Sequence, residues 1–353
     1  MVFTLETLFT EPRIVNAIID RTMQKYQDKI NWKRYLDPHE SLSPTFQTYF
    51  GVTAQTVVGS MIDPHARKPL RQRRGVRKGV GSIGTFGDAY QISEDRLDLL
   101  LELINKFNAT QSESALNEIV DFITDDYRDA LMAPMHAIDK MLGEARSLGF
   151  FNVQLLGADA EQVVLPVQKV TASKEDVGSF ITFYRNLLES QSDIGNEFVA
   201  CQMTSKTFYD KVVNSSEFKN TFTMKFGSFE VGPTNLISVA KVNEMLVGAG
   251  IDVPIEIVKE RVTLADGKTY KAFADNAMCL IPEGKLGKVE FYKSSKWAQN
   301  VPGHTRSQAE GGMILLDSYV TSEGNFMEYQ MNAALNLAMP HKMCVVDLSA
   351  SAE

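Results

Sequence analysis

Between Thr110 and Gly149 apolar residues recur at steps of three and four without interruption: Leu116, Ile119, Val120, Ile123, Tyr127, Leu131, Met135, Ile138, Met141, Leu142 and Ala145. At 100° per residue these positions form one stripe, the pattern of a helix with a single buried face. Thr110 and Glu113 have the spacing of a capping box, and Gly149 stands where a left-handed residue would close the helix. Pro134 lies on the stripe, so a bend is expected there; because the stripe keeps its phase across it, one kinked helix is predicted rather than two. At 1.5 Å per residue such a helix is roughly 50 Å long, several times the usual length, and serves as a beam along which other segments pack.

The chain has 353 residues, 44% of them hydrophobic and 23% charged, which suits a folded protein of about two domains. No apolar run approaches the ~20 residues that span a bilayer. The start, MVFTLETLFTEPR, lacks a basic region and already contains Glu6, so no signal peptide is expected. Cys201, Cys279 and Cys344 are far apart and flanked by apolar residues, reading as reduced core thiols of a cytoplasmic protein. The net charge of −8 argues against a general nucleic-acid binder.

Charge is unevenly spread. Between His65 and Gly79 lie Arg67, Lys68, Arg71, Arg73, Arg74, Arg77 and Lys78, with β-leaning stretches on both sides, VTAQTVVGSMI and VGSIGTFGDAYQI. This predicts a long two-stranded hairpin with a basic tip. An arm of about a dozen residues reaches roughly 40 Å, and an isolated ribbon is barely stable, so it needs a surface to lie on. From Glu94 to Glu144 twelve acids face only Arg96, Lys106, Arg128 and Lys140, a net of −8 for that stretch. A basic ribbon and an acidic beam in one chain point to self-association, with Arg67, Lys68, Arg71, Arg73, Arg74, Arg77 and Lys78 of one copy lying over Asp121, Asp125 and Asp129 of another.

Around these features the chain divides in order. Residues 1–51 read as an arm: a short amphipathic helix starting at Thr10 and Pro12, then INWKRYLDPHESLSPTFQTYF, too apolar for a linker and expected to lie on another part of the chain or another copy. Ser93 to Phe107 is a helix, and FFNVQLLGADAEQVVLP a strand pair about Gly157. From Ser173 onward helices and strands mix. Ser173 caps a helix running past Leu188, FVACQM is a buried strand, Thr204 starts a helix, and Thr234 caps another. IEIVKERVTL and KTYKAF flank Asp266–Gly267 as a hairpin. AMCLIP is a core strand, SSKWAQNVPGHTRSQAEGG a polar loop, and the C-terminal stretches GGMILLDSYVT, FMEYQMNAALNLAMP and MCVVDLSA are strands returning to the first domain's sheet.

Chemistry-bearing motifs are absent. His39, His65, His136, His304 and His341 are dispersed, with no H-E-x-x-H, C-x-x-C, G-x-S-x-G or phosphate-binding loop. Gly79, Gly81 and Gly84 match G-x-G-x-x-G, but RRGVRK precedes them where an apolar strand is required and TFGDAYQIS follows where a helix is required. Asp125–Asp126 follow the wet side of the helix, and His136 lies beside Pro134 in a packing role. No catalytic, cofactor-binding or metal-binding residue is assigned, and a non-enzymatic building block is expected.

The order of arm, basic-tipped hairpin, long helix, mixed domain and C-terminal strands resembles the major capsid proteins of tailed phages, and more closely the lambda-type major capsid protein E family. The stretches that carry the likeness are FVACQMTSKTFYDKVVNSSEFK, KAFADNAMCLIPEGKLGKVEF and EGGMILLDSYVTSEGNFMEYQMNAALNLAMPHKMCVVDL. Within them stand Asp275-Asn276-Ala277-Met278 with Gly284 and Gly287, and an apolar strand from Met343 to Leu348 after Pro340. The helix Ser93 to Phe107 and a longer return segment, with Asn325 to Met339 helical or extended, depart from the family pattern.

The resemblance implies an α+β chain of the Hong Kong 97 type: an N-terminal arm over 1–51, an extended loop over 52–92, a peripheral domain with the spine helix over 93–172 and 313–353, and a mixed axial domain over 173–312. It implies a structural protein, without cofactor, that assembles as hexamers and pentamers into the icosahedral shell of a tailed phage. Scaffolding, portal and decoration proteins are the further partners implied. The shell encloses double-stranded DNA without reading its sequence, touches no membrane, and is built in the host cytoplasm as the virion capsid. Two other readings stay open: an encapsulin-like nanocompartment shell, and a nucleic-acid-binding protein using residues 65–79.

Overall fold

The spine helix predicted from the apolar stripe is a single element, Glu113–Leu148, passing unbroken through Pro134. At 36 residues it is roughly 54 Å long. The computed structural model in which it is seen describes residues 4, 9, 11–51, 76–153, 161–226, 237–264, 267–293, 295, 299, 301–321 and 324–350. Thr110 does not open the helix: it is the last residue of the preceding helix, Glu94–Thr110, with Gln111 left-handed (φ 51°) as its C-cap. The hydroxyl of Ser112 accepts from the Ala115 N–H and so takes the capping role assigned to Thr110. At the other end Gly149 is left-handed (φ 70°), as its position past the helix predicts.

The chain forms two compact units, residues 1–47, 80–139 and 288–336 in one and 48–79, 140–287 and 337–353 in the other. In the first unit the buried face of the helix, from Ile119 through Tyr127 and Met135 to Ile138, lies in a core with a six-stranded sheet. Leu36–Glu40, Gly287–Phe291, Gly324–Leu337, Ile314–Thr321 and His304–Ala309 follow one another in that sheet, and Gly84–Ile92 also pairs with Gly324–Leu337. The segment Asn325 to Met339, left helical or extended by the sequence, is thus one long strand as far as Leu337. Its alternating burial with Met327, Tyr329, Met331 and Ala333 inward explains why strand pairing won. The polar stretch before Gly312 is not all loop: His304–Ala309 pairs antiparallel with Ile314–Thr321, and small or polar residues such as Thr305 and Ser307 alternate inward.

The arm helix Pro12–Tyr26 starts with its proline at the first position and buries Val15, Ile18, Ile19 and Met23. The broken stretch after it is packed from Ile30 to Leu36, with Trp32 fully buried, and mostly exposed from Asp37 to Gln47, although Leu36–Glu40 joins the sheet edge beside Gly287–Phe291.

The second unit is organised on a mixed five-stranded sheet in the order Gln168–Thr171, Cys344–Asp347, Ala277–Pro282, Phe198–Thr204, Ile255–Val258. Every residue of the central strand AMCLIP is buried. The outer pairs, 168–171 with 344–347 and 198–204 with 255–258, are parallel and the inner ones antiparallel. The C-terminal strands therefore part company: Gly324–Leu337 belongs to the first unit's sheet, while Cys344–Asp347 goes to this one. IEIVKERVTL is likewise two strands, because Ile255–Val258 is drawn into the sheet and Arg261–Thr263 pairs with Thr269–Lys271. The helix from Ser173 is interrupted at Ser179, giving Lys174–Gly178 with a Ser173–Asp176 capping box and then Phe180–Asp193. Thr204 caps the helix it was expected to start. Ser238 caps Val239–Gly248; Thr234, the predicted cap, lies outside the described residues. The three cysteines are free and buried, as their apolar flanks predicted.

The Asp275-Asn276 pair has a local physical account. Asn276 takes a left-handed turn (φ 59°), and its N–H donates to the Thr207 hydroxyl while Asp275 accepts from Thr204. The turn aims the chain into the buried strand that follows.

Candidate assembly surfaces

The sequence assigned a basic ribbon and an acidic helix face. Of the predicted ribbon the first strand, VTAQTVVGSMI, lies outside the described residues; Val76–Ser82 is described and pairs instead with Thr45–Gly51 at the end of the arm. Arg77 and Lys78 lie on the second strand, while Arg67, Lys68, Arg71, Arg73 and Arg74 lie outside the described residues. Gly84–Ile92, the continuation of the ribbon, is held in register from Asn325–Ile92 to Ala333–Gly84. Gly87 must be glycine there, since a Cβ would come within 2.9 Å of the Tyr329 carbonyl.

On the acidic face Asp121, Asp125 and Asp129 are exposed, as their helical phase requires. The structure brings the arm helix against two of them: Arg21 lies 3.5 Å from Asp121 and Lys25 3.9 Å from Asp125, which also accepts from the Tyr26 hydroxyl at 3.0 Å. Asp129 pairs with its neighbour Arg128 at 2.9 Å. Asp126, read as part of the wet side, is instead partly covered, with its carboxyl 2.6 Å from Arg96. Burial pushes that carboxyl up, against the Arg96 ion pair that pulls it down.

Three charges on the spine that the sequence reading left in the acidic tally, or did not single out, are buried and held by partners within this chain. Asp139 accepts from the backbone N–H groups of Asn31 and Trp32 at 3.3 and 2.6 Å. Glu144 accepts from the Asn152 N–H at 2.9 Å and the Tyr270 hydroxyl at 3.0 Å, with Lys140 3.3 Å away. Burial and the Glu144 carboxylate push the Tyr270 hydroxyl up to about 12. Arg146 donates to Gln202 Oε1 at 2.6 Å and pairs with Glu260. These groups fix what packs on the helix; they are not free to meet a partner. A signal was present: Asp139 is four residues from Met135 and three from Leu142, and Arg146 four from Leu142, so both lie on the apolar stripe where a charge must find a partner.

Among the described residues no group of His, Cys, Asp or Glu side chains could hold a metal ion, and no helix is long and apolar enough to cross a membrane.

No protein-family model and no curated protein matches the chain. Solved structures do. A phage-related protein from Bordetella bronchiseptica RB50 superposes with a TM-score of 0.52 at 11% identity, over 95% of this chain and 97% of that one. The capsid subunit of cyanophage A-1(L) gives 0.46 at 12% identity over 91% and 92%, and that of Myoviridae phage XM1 gives 0.43 at 10% over 90% and 91%. The Bordetella structure, shared almost from end to end, shows the fold of this chain to be that of the phage-related protein: an α+β chain that structurally matches capsid proteins of the Hong Kong 97 type.

Proposed function

We propose that the chain is the shell subunit of a tailed double-stranded DNA phage or prophage, of the lambda-type major capsid protein E group, assembling as hexamers and pentamers into an icosahedral capsid. The observation that carries the reading is the fold shared over 95% of the chain with a phage-related protein. The sequence supports it: a net charge of −8, a basic stretch from Arg67 to Lys78 and no catalytic motif suit a building block.

In this reading the basic stretch Arg67 to Lys78 of one subunit lies over Asp121, Asp125 and Asp129 of the next. The pairs that Asp121 and Asp125 make with the arm helix leave both carboxylates more than half exposed (59% and 51%), so they are exchangeable surface pairs worth about 0–1 kcal/mol each. Guanidinium forks suit carboxylates better than ammonium groups do, and a network repeated at every contact adds up.

The test is sedimentation of the purified protein as salt is lowered towards 0.1 M, where the Debye length is about 10 Å. The expected result is conversion of the 39.4 kDa chain into capsomers and shells in wild type, and its loss in an Arg71→Glu, Arg73→Glu, Arg74→Glu variant that stays folded. Normal shells from that variant would move the basic stretch off the subunit contact. Shells that retain a specific protein cargo and exclude DNA would favour a nanocompartment.

A further inference from the structure

In the second unit three short pieces of chain meet around a pocket of about 270 Å³: Thr204 to Lys206, Val258 to Arg261, and Lys271 to Phe273. Lys206, Lys259, Arg261 and Lys271 all line it, and all are exposed. The carboxylates nearby are already taken. Glu260 pairs with the buried Arg146, and Asp275 accepts from Lys271 and from Thr204, each at 2.7 Å. Burial pushes the Asp275 carboxyl up, but those two hydrogen bonds and the charges of Lys271 and Lys206 outweigh it and hold it below its ordinary value. Among the described residues the side chains of Lys206, Lys259 and Arg261 make no hydrogen bond or salt bridge.

The arrangement costs stability locally. Arg261 and Lys271 stand directly opposite each other in a two-stranded antiparallel ribbon, where like charges repel. A ribbon of that size is itself marginal. Lys206 and Lys259 add to the same concavity in a chain whose net charge is −8. Glu260 also lines the pocket but is neutralised by Arg146, so the wall carries an excess of positive charge; such a wall focuses potential and gathers counter-ions, and an oxyanion seated among the cations relieves the repulsion.

We infer that this pocket is a phosphate-binding site that holds phosphodiester groups of duplex DNA. The choice of DNA as the source rests on the shell reading above, in which the subunit encloses it. Each phosphate neutralised by a cation releases counter-ions, so binding that uses the pocket carries a salt dependence of about 0.9 per contact on logarithmic axes.

The experiment is anisotropy titration of a labelled DNA duplex with the full-length protein, kept dilute enough that sedimentation shows no capsomers or shells, at several salt concentrations. Wild type is compared with a Lys206→Gln, Lys259→Gln, Arg261→Gln variant. The expected result is a salt slope shallower by about 2–3 and an affinity at least about tenfold weaker at 0.1 M salt. The variant should melt at the same or a higher temperature, since like-charge repulsion has been removed. A slope and affinity equal to wild type overturn the inference. So does a variant that binds DNA normally but no longer forms capsomers, which would place carboxylates of another copy in the pocket. Micrographs of wild type keep the two readings separable. Shells with an unchanged slope leave the shell reading standing and the site refuted; a changed slope without shells supports the site alone.

Discussion

The backbone N–H of Trp32 donates to Oδ1 of Asp139 at 2.6 Å, and the carboxylate that accepts it is 1% exposed. Because the neighbouring Asn31 N–H uses Oδ2 of the same group, one side chain on the spine satisfies the start of the short helix Trp32–Arg34. A carboxylate so deeply buried is tolerable only while those donors are in place.

Asp139→Ala should therefore loosen the arm. The buried Trp32 N–H and the part-buried Asn31 N–H lose their acceptor, at a cost of about 3 kcal/mol, and Trp32, now fully buried, gains water. Red-shifted tryptophan emission and faster tryptic cleavage at Lys29, Lys33 and Arg34 check it. Wild-type protection in the variant would show that apolar packing alone holds the arm.

The buried guanidinium of Arg146 makes the corresponding argument in the second unit. Arg146→Leu leaves Glu260, 8% exposed, as an unpaired charge and should cost about 3–5 kcal/mol in denaturant unfolding. Adding Glu260→Gln should recover most of that loss. A single variant within about 1 kcal/mol of wild type would mean that the pair contributes packing only.

The thiols offer a chemical probe of the same core. Burial pushes Cys279 and Cys344 up to about 12, and Cys201 is raised well above the ordinary thiol value. A thiol reagent at about pH 8 should leave the native protein unlabelled and label all three cysteines after unfolding. Rapid labelling of the native protein would contradict the sheet order that buries them.

Acid should reach the Asp275 turn. Its folded carboxyl titrates below 3.8, so its contribution to stability is fully present above that value and is lost as pH falls through the lowered one. Relative to Asp275→Asn, wild type should lose stability as pH falls below about 4, with the difference flat above about pH 5. A difference that instead grew as pH rose would reverse the assignment.

Periodicity made the fold's main features legible. The stripe from Leu116 to Ala145 gave the spine, and the apolar runs FVACQM and AMCLIP gave two buried strands, because burial on one face or on both leaves a repeating mark; that the two pair with each other came from the structure. What it could not give were choices made by competition between distant partners. Cys344–Asp347 is apolar enough for either sheet, and its neighbours Ala277–Pro282 and Gln168–Thr171 decide. His304–Ala309 carries no strand pattern in HTRSQA and extends only because Ile314–Thr321 offers it a ladder. For the candidate surfaces, helical phase correctly exposed Asp121, Asp125 and Asp129. A bare count of acids could not see that Asp139 and Glu144 are consumed inside, or that Arg21 and Lys25 reach the outer row.

Electron micrographs of the purified wild-type protein at low salt test the central claim most directly. The account predicts closed icosahedral shells or their hexameric and pentameric capsomers, formed by this chain without added nucleic acid. A stable monomer under every salt condition, with no larger species, would contradict it.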